Sequence, residues 1–493
     1  MFATRSLSFL LTAALSTAFG SLTPRSDGEN TVSQACSAIS SAISPESSVY
    51  YPGTAEYERD IHHWASSSTQ HSVCTVEPAT AEDVGKILQI VFKSGVEFGV
   101  KSGGHIANPG FSSSPDVLIA TSRFNQVQYN SESQTAVIGT GLIFDDVYAA
   151  LAPYNVSVCG GRVTGIGVGG FVLGGGYSWK ANQHGLAVDT VVAFELVKPD
   201  GSVATVTEES DAELFFGLKG SHNNFGIVTR ITMKAFPQTS VWGGPVTYLA
   251  PSISDVSVAV AKFSTSNNDP KANIVATYDC AATVPVAIVF LYYDEPSPPQ
   301  GLFDDFFKIP ALHKDVHERS LSSFIHSTYT SNATAGARGA FHSVPVVEFS
   351  ENVLRVLAEE AHNWCLQNLP ASGPFVAYGI EPYMPNMLSN GKLASAYPPT
   401  REKTFSMTNI YFGWLDQAHD NQLLDNVKQS TTRIRDAVIA DGQDITSAPL
   451  YPNAALADTP LEQMYGGNVD RLRALRARVD PENVMRLAGG FRF

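Results

Sequence analysis

A chain of 493 residues, 44% apolar and 16% charged, has ample length for two or three domains and is too hydrophobic for intrinsic disorder. Its formal charge of −15 argues against nucleic acid, whose many phosphates it would repel, and favours a neutral or cationic small molecule.

Met1 to Gly20 joins Arg5, an apolar run from Leu7 to Leu15, and small residues at Ala18 and Gly20, the pattern of a signal peptide cleaved near Ser21. Nothing later reaches the roughly 18 uninterrupted apolar residues of a membrane span, so the expected mature protein is secreted and has no membrane partner. Cys36, Cys74, Cys159, Cys280 and Cys365 all lie beyond the cleavage point. Their spacing shows no CxxC and no zinc pattern, so no metal is expected, and an odd count leaves at least one thiol without an intrachain partner. Asn155-Val156-Ser157 and Asn332-Ala333-Thr334 are compatible with glycosylation.

Ser21 to about Ser68 is Ser-rich and polar, an arm expected to wrap the following domain. A helix is predicted after Thr80 as N-cap, with Asp83 at the capping-box position, Val84, Ile87, Leu88 and Val91 on one face, and Gly95 as its stop. A strand over Val96 to Val100 then delivers the chain to Lys101-Ser102-Gly103-Gly104-His105, and another strand is predicted over Asp116 to Ala120.

From Cys159 to Tyr177, nine of nineteen residues are glycine. Such density excludes an ordinary helix or strand interior and implies main chain at positive φ, or pressed where no Cβ fits. Main chain of this kind can aim successive N–H groups at an anion, often a phosphate. Neither glycine loop is a GxGxxG in its strand-to-helix setting, and neither is a P-loop.

Farther on, Val192, Phe194 and Leu196 alternate, Pro199-Asp200-Gly201 turns, and Val203 and Val206 continue as a hairpin. Asp211 caps a helix over Ala212 to Leu218, and the loop from Lys219 to Gly226 leads into a strand with Ile227, Thr229, Ile231 and Met233 alternating. After Pro237 the strand candidates are Asn273 to Tyr278, Val286 to Tyr293, Phe375 to Ile380 and Lys403 to Trp414. Helical stretches over Val347 to Leu366 and Asp420 to Ala440 separate them, which suggests an antiparallel sheet covered on one face, its other face free to meet the active site. Leu472, Leu475 and Val479 mark a last helix, Pro481 ends it, and a closing stretch runs from Val484 to Phe491.

The order of helix, strand, Ser-Gly-Gly-His loop, strand and long glycine run ending in Gly174-Gly175-Gly176-Tyr177 resembles the berberine-bridge-enzyme-like family, in its fungal secondary-metabolism form. These flavoproteins have an FAD-binding domain of the vanillyl-alcohol-oxidase (PCMH) type. The resemblance continues through His184 to Asp189, Leu218 to Thr229, Met464 to Asn468 and Asp480 to Met485. It implies an α+β fold: signal peptide 1–20, arm 21–68, FAD-binding domain 69–238, substrate domain 239–453, and a segment 454–493 that returns to complete the FAD domain. We expect Cys36 to pair with Cys74, as the family pattern also suggests; the other pairings stay open.

The resemblance further implies FAD, bonded through its 8α carbon to His105. Such a tether would keep the cofactor in a secreted protein and raise its potential. Ser102, Gly103 and Gly104 would face the pyrophosphate. Gly165, Ile166, Gly167, Gly169, Gly170 and Gly176, with the loop carrying Asn224, Gly226 and Val228, would hold the isoalloxazine and ADP portions. Many members make a second bond through a cysteine seven residues before the closing glycine; counting back from Gly170 gives Val163, so a single bond is expected, with Cys159 a buried thiol or disulfide partner. Ile166 stands where members carry aliphatic side chains that gate oxygen.

Tyr177 is the clearest catalytic candidate by this resemblance, able to deprotonate a substrate hydroxyl if neighbouring cations lower its pKa. Tyr451-Pro452-Asn453-Ala454 keeps the first tyrosine and the asparagine of the family's Tyr-x-Asn-Tyr, with Ala454 replacing the second tyrosine. That departure moves weight from carbohydrate toward a lipophilic metabolite. Tyr378, Tyr383, Tyr411, Phe412 and Trp414 are candidates to line a cleft. The expected function is a monomeric FAD-linked oxidoreductase that passes a hydride from a small organic substrate to flavin N5, with oxygen or another acceptor completing turnover. A mono- or oligosaccharide oxidase or dehydrogenase is the alternative within the class; a flavin-dependent cyclase or a silent flavin-binding protein lies outside it.

Overall fold

The computed structural model describes residues 28–328 and 334–493; the expected signal peptide and Asn332 lie outside the described residues. The helix Ala81–Ser94 forms where its caps place it. Thr80 Oγ1 accepts from the Asp83 N–H at 3.1 Å, Gly95 ends the helix at φ 64°, and Val84, Ile87, Leu88 and Val91 are fully buried. Asp83 does not serve the expected capping box. Its carboxylate accepts instead from the Ser44 N–H at 3.0 Å, Ser44 Oγ at 2.5 Å and Ser47 Oγ at 2.7 Å, and pairs with Lys86. Burial pushes its pKa up, but the bonds from Lys86, Ser44 and Ser47 outweigh burial and hold it well below the usual carboxylate range.

Strands are numbered in chain order. β1 (Ser48–Tyr50), β2 (Cys74–Glu77), β3 (Phe98–Lys101) and β4 (Val117–Ala120) form a sheet of order β1-β2-β4-β3, in which β2, β4 and β3 are parallel. The Ser102-to-His105 loop leaves the end of β3. β5 (Val127–Asn130), β6 (Thr135–Gly139), β8 (Val191–Val197), β9 (Val203–Val206) and β10 (Ile227–Lys234) make an antiparallel sheet of order β5-β6-β10-β8-β9, while β7 (Val156–Ser157) pairs with β11 (Phe236–Pro237). The predicted hairpin is β8 and β9, with Val197 opposite Val203.

The third large sheet is wholly antiparallel. Its strands are β12 (Val241–Leu249), β13 (Ala272–Ala281), β14 (Val284–Tyr293), β15 (His313–Lys314), β16 (His317–Arg319), β17 (Arg338–Val346), β18 (Phe375–Glu381) and β19 (Ser406–Trp414), in the order β15-β12-β14-β13-β18-β19-β17 with β16 beside β12. Helices Ile253–Ser266, Glu351–Asn368 and Asp420–Ala440 cover one face. The strand period of two sorts each strand between this face and the other. On β13, Ile274, Ala276, Tyr278 and Cys280 join the core under the helices, whereas Val275, Thr277 and Asp279 turn to a cavity on the far side.

The chain ends return to the first sheet. Cys36 is bonded to Cys74, as expected, and a second bond joins Cys280 on β13 to Cys365 on the covering helix; Cys159 is free and buried. After the helix Val469–Val479, Ala488 bridges to Phe98 of β3, and Met485, Leu487 and Ala488 share a core with Val96, Phe98 and Val117. Among the described residues no helix is long and apolar enough to cross a membrane.

A buried ion pair ties the glycine-rich region to the large sheet: Lys180 Nζ lies 3.0 Å from Asp294 Oδ2. Asp294 also accepts from Gln183 at 2.8 Å, Gln238 at 3.0 Å and the Tyr292 hydroxyl at 2.8 Å. Burial pushes its pKa up, and Lys180 with these bonds outweighs burial to keep it low. Lys180→Met should therefore destabilise the protein by about 3–5 kcal/mol, because it leaves a buried charge uncompensated, and Lys180→Met/Asp294→Leu should recover most of the loss. Denaturant midpoints measure both; an unmoved midpoint in the single variant would remove this pair from the account.

Candidate active site

A cavity of about 380 Å³ lies between the glycine loops and the uncovered face of the large sheet. Its first wall comes from two main-chain segments in direct contact. A Cβ on Gly103 would fall 2.6 Å from Gly167 Cα, and one on Gly167 would fall 2.7 Å from Gly103 Cα, so only glycine is tolerated on either side. Ser102 turns inward to brace the contact: its hydroxyl donates to Thr140 O at 2.5 Å and accepts from the Gly169 N–H at 3.2 Å. Gly104, at φ 70°, then turns the chain into His105.

The His105 ring lines the cavity and stacks on Trp64, with centroids 4.4 Å apart and planes 14° from parallel. Trp64 N–H donates to Gly104 O at 3.0 Å, which anchors both residues. Burial lowers the His105 pKa to about 4, so the imidazole is neutral at ordinary pH and keeps a nitrogen lone pair.

Of the residues predicted to touch a cofactor, Ser102, Gly103, Gly104, His105, Ile166, Gly167, Gly169, Gly170 and Val228 line this cavity. Gly165, Gly176, Asn224 and Gly226 do not, and shape its walls instead. The Gly165 N–H donates to Asp145 Oδ2 at 2.9 Å; Gly176, at φ 82°, packs where a Cβ would lie 2.7 Å from the Ala187 Cβ; and a Cβ on Gly226 would overlap Val197 O. The Asn224 amide donates to Ser221 O at 2.7 Å and Phe491 O at 3.0 Å, fastening the chain's end. Val163 lines the cavity, whereas Cys159 sits in the core with its thiol pKa pushed up to about 12 by burial.

Tyr177 departs from expectation. It is buried outside the cavity lining, with its hydroxyl 3.1 Å from that of Tyr397, and burial raises its pKa more than the Tyr397 bond, Arg162 and Arg401 lower it. Tyr451 stands at the lining with its ring edge-on to Tyr177, centroids 4.9 Å apart. The Asn453 amide donates to the Tyr451 oxygen at 2.9 Å and to Phe171 O at 3.2 Å. Burial raises the Tyr451 pKa, opposed by Asn453, Arg162 and the main chain of Tyr177 and Gly176. Ala454 also lines the cavity, where the family's second tyrosine would stand.

The strand period also sorts the candidate aromatics. Tyr411 lines the cavity, but Tyr378, Phe412 and Trp414 fall on the helix-covered face, and Tyr383 packs against Tyr177 with its hydroxyl 3.1 Å from Arg162 Nη1. Phe290, Phe341 and Phe375 take the expected places. Sequence reasoning missed the ion pair between Arg162, in the glycine run, and Glu381, at the end of β18, which Tyr383 joins through its hydroxyl, 3.2 Å from Glu381 Oε2. An arginine alone among glycines was the available signal.

The cavity thus offers a main-chain cradle too tight for side chains, a neutral imidazole in its wall and several aromatic rings along its lining, which fits a dinucleotide carrying a planar ring. Residues 73–207 match the FAD binding domain model, and residues 451–490 match the berberine and berberine-like model. An FAD-linked oxidoreductase of Arthroderma benhamiae is 30% identical over 90% of this chain and 91% of its own length. The FAD-dependent monooxygenase drtC of Aspergillus calidoustus is 30% identical over 95% of this chain and 92% of its own. Among solved structures, glucooligosaccharide oxidase from Acremonium strictum, described with a 6-S-cysteinyl, 8α-N1-histidyl FAD, superimposes with a TM-score of 0.73 at 17% identity, covering 92% of this chain and 98% of that one. The chain belongs to the berberine-bridge-like family of FAD-dependent oxidoreductases and has its PCMH-type α+β fold.

Gly167→Ala would drive a methyl group into the Gly103 main chain, an overpacking worth about 1–3 kcal/mol. The expected result is FAD affinity lower by roughly tenfold to hundredfold, seen as substoichiometric flavin in the purified protein; full occupancy would show that the loops need not touch.

Proposed function

We propose that this protein holds FAD by a single covalent bond from its 8α carbon to His105 and oxidises a small, largely apolar metabolite bearing a hydroxyl or amine. The observation that carries the reading is His105 itself: a neutral, stacked imidazole that lines the same cavity as the Gly103–Gly167 contact. FAD, when bound, accepts a hydride at N5 and delivers the electrons to oxygen or another acceptor.

The chain's own part is to hold, orient and move a proton. Main-chain N–H groups of Gly103, Gly104 and Gly167 are suited to the pyrophosphate, and Trp64 fixes the plane of the His105 ring. Tyr451 is better placed than Tyr177 to meet a substrate. It lines the cavity, and the Asn453 amide, by donating to its oxygen, opposes burial and favours the phenolate, the form that takes a proton from a substrate hydroxyl as the hydride leaves. Phe290, Phe341 and Phe375, with Ala454 in place of a tyrosine, favour an apolar metabolite over an oligosaccharide. Secretion is supported by the signal-like first residues and by two disulfides, which persist in oxidising compartments.

Acid precipitation and washing test the attachment. Wild-type protein should keep its yellow colour and His105→Ala should lose it. Colour that washes out of the wild type would end the covalent reading, and colour kept by the variant would require a second attachment point.

A further inference from the structure

Among the described residues, three acidic side chains of the large sheet and its margin are buried on the side facing the glycine loops, and two are neutralised in place. Glu381 is paired with Arg162, and Asp294 with Lys180. Asp279, on β13, is 4% exposed and lines the cavity, yet among the described residues it has no cationic partner. Oδ2 accepts from Thr277 Oγ1 at 2.9 Å, and Oδ1 has no hydrogen-bond partner among the described residues. A carboxyl group buried in this way opposes folding. Among the described residues it caps no helix and joins no ion pair, so its presence calls for a partner that those residues do not supply.

The neighbouring strands show what kind of partner fits. Ala377 of β18 and Val286 of β14 stand in register with Asp279, and neither can bond to it. Gly379 stands in register between Thr277 and Asn409 of β19, so no side chain separates the two residues on this face. Asn409 also lines the cavity, and its Oδ1 likewise lacks a partner among the described residues. These two atoms are acceptors; the Tyr411 hydroxyl of the same lining can donate or accept, and Phe341 and Phe375 complete the surroundings. The titratable groups along the same cavity are Glu381, held by Arg162, with Tyr411, Tyr451, His105 and His222.

Resting on the reading of this cavity as the substrate's place, we propose that Asp279 is a specificity-determining residue whose carboxylate receives a hydroxyl or protonated amine of an otherwise aromatic or aliphatic substrate. Asn409 accepts a second donor across the gap left by Gly379. Burial pushes the Asp279 pKa from 3.8 up to about 7, with the Thr277 bond opposing, so a donor that arrives there also stabilises the ionised form.

Two measurements on the flavin-bearing protein test this. The first is thermal stability against pH. Because the folded pKa lies above the unfolded one, the folded chain retains a proton that the unfolded chain loses. Wild-type stability is therefore drained between about pH 4 and about pH 7, and the loss persists above that window. Asp279→Asn should match the wild type near the lower limit and melt a few degrees higher above the upper one. An Asp279→Asn protein less stable throughout would make Asp279 a structural residue and overturn the proposal.

The second follows the flavin absorption band as benzylamine, benzyl alcohol or benzyl methyl ether is added. At about pH 8 the wild type should bind benzylamine and benzyl alcohol roughly tenfold or more tighter than the ether, which donates nothing. The benzylamine preference should shrink toward about pH 5 as the carboxyl gains its proton, and Asp279→Asn should remove that pH dependence. Equal affinity for all three probes, no spectral response in flavin-bearing wild type, or an unchanged preference in Asp279→Asn would each refute the assignment. Loss of flavin from the wild type on acid washing would instead count against the His105 bond, a separate failure.

Discussion

The structure depends on one close approach, the contact of Gly103 with Gly167, where two main chains meet without a side chain between them. The placing of the first loop in the cavity wall follows from it. Ser102 is held against Thr140 and Gly169, Gly104 reverses the chain, and His105 emerges beside Trp64 instead of pointing into solvent. A contact of this kind cannot be made by flexible loops, because its tolerance is a fraction of a methyl group. It is supported by β3 beneath the first loop, by the helix Val168–Leu173 after the second, and by the tail whose Ala488 bridges to Phe98. The N-terminal arm adds the Cys36–Cys74 bond and the serines on Asp83.

Opposite this cradle the large sheet supplies a surface whose charges are arranged by burial. Two carboxylates face cations brought from the glycine-rich region, Arg162 and Lys180, so the ion pairs also lock the two halves of the cavity together. The third, Asp279, has no cation facing it and an unpartnered Oδ1 among the described residues, and stands between apolar neighbours. A protein gains nothing in stability from such a residue. Unmatched polar groups in a cavity are where function overrides folding energetics, and this one shares the lining with Phe341, Phe375 and Tyr411.

Much of this was legible in the sequence, and the parts that were not have physical reasons. Caps and turns act locally, so the helix after Thr80, the Asp211-capped helix and the β8–β9 hairpin appeared where expected. Glycine density announced the cradle, since no other residue type would survive the contact. β12 and β17 were missed because Gly243, Gly244 and Pro245 interrupt the one and Pro345 the other, hiding strands whose stability comes from their neighbours. The Cys280–Cys365 bond joins a strand to a helix 85 residues away, a proximity created only by the sheet. Side-chain direction was the harder problem. Alternation along β18 and β19 separates Tyr411 from Tyr378, Phe412 and Trp414, and a shift of one residue would have reversed the assignment. Tyr177 followed the glycines as the resemblance suggested, but whether it lined the cavity depended on Tyr397 and Tyr451, which lie far along the chain.

The proposed FAD tether at His105 draws these features into one account, since it needs the loop contact, a neutral ring and a cofactor in the cavity at once. Its most direct test is the mass of the tryptic peptide Ser102–Arg123 from denatured, washed protein. The account predicts that peptide heavier by a bound FAD, or by FMN after phosphodiesterase treatment, with fragmentation assigning the addition to His105. A peptide of unmodified mass from protein that was yellow before denaturation would contradict it.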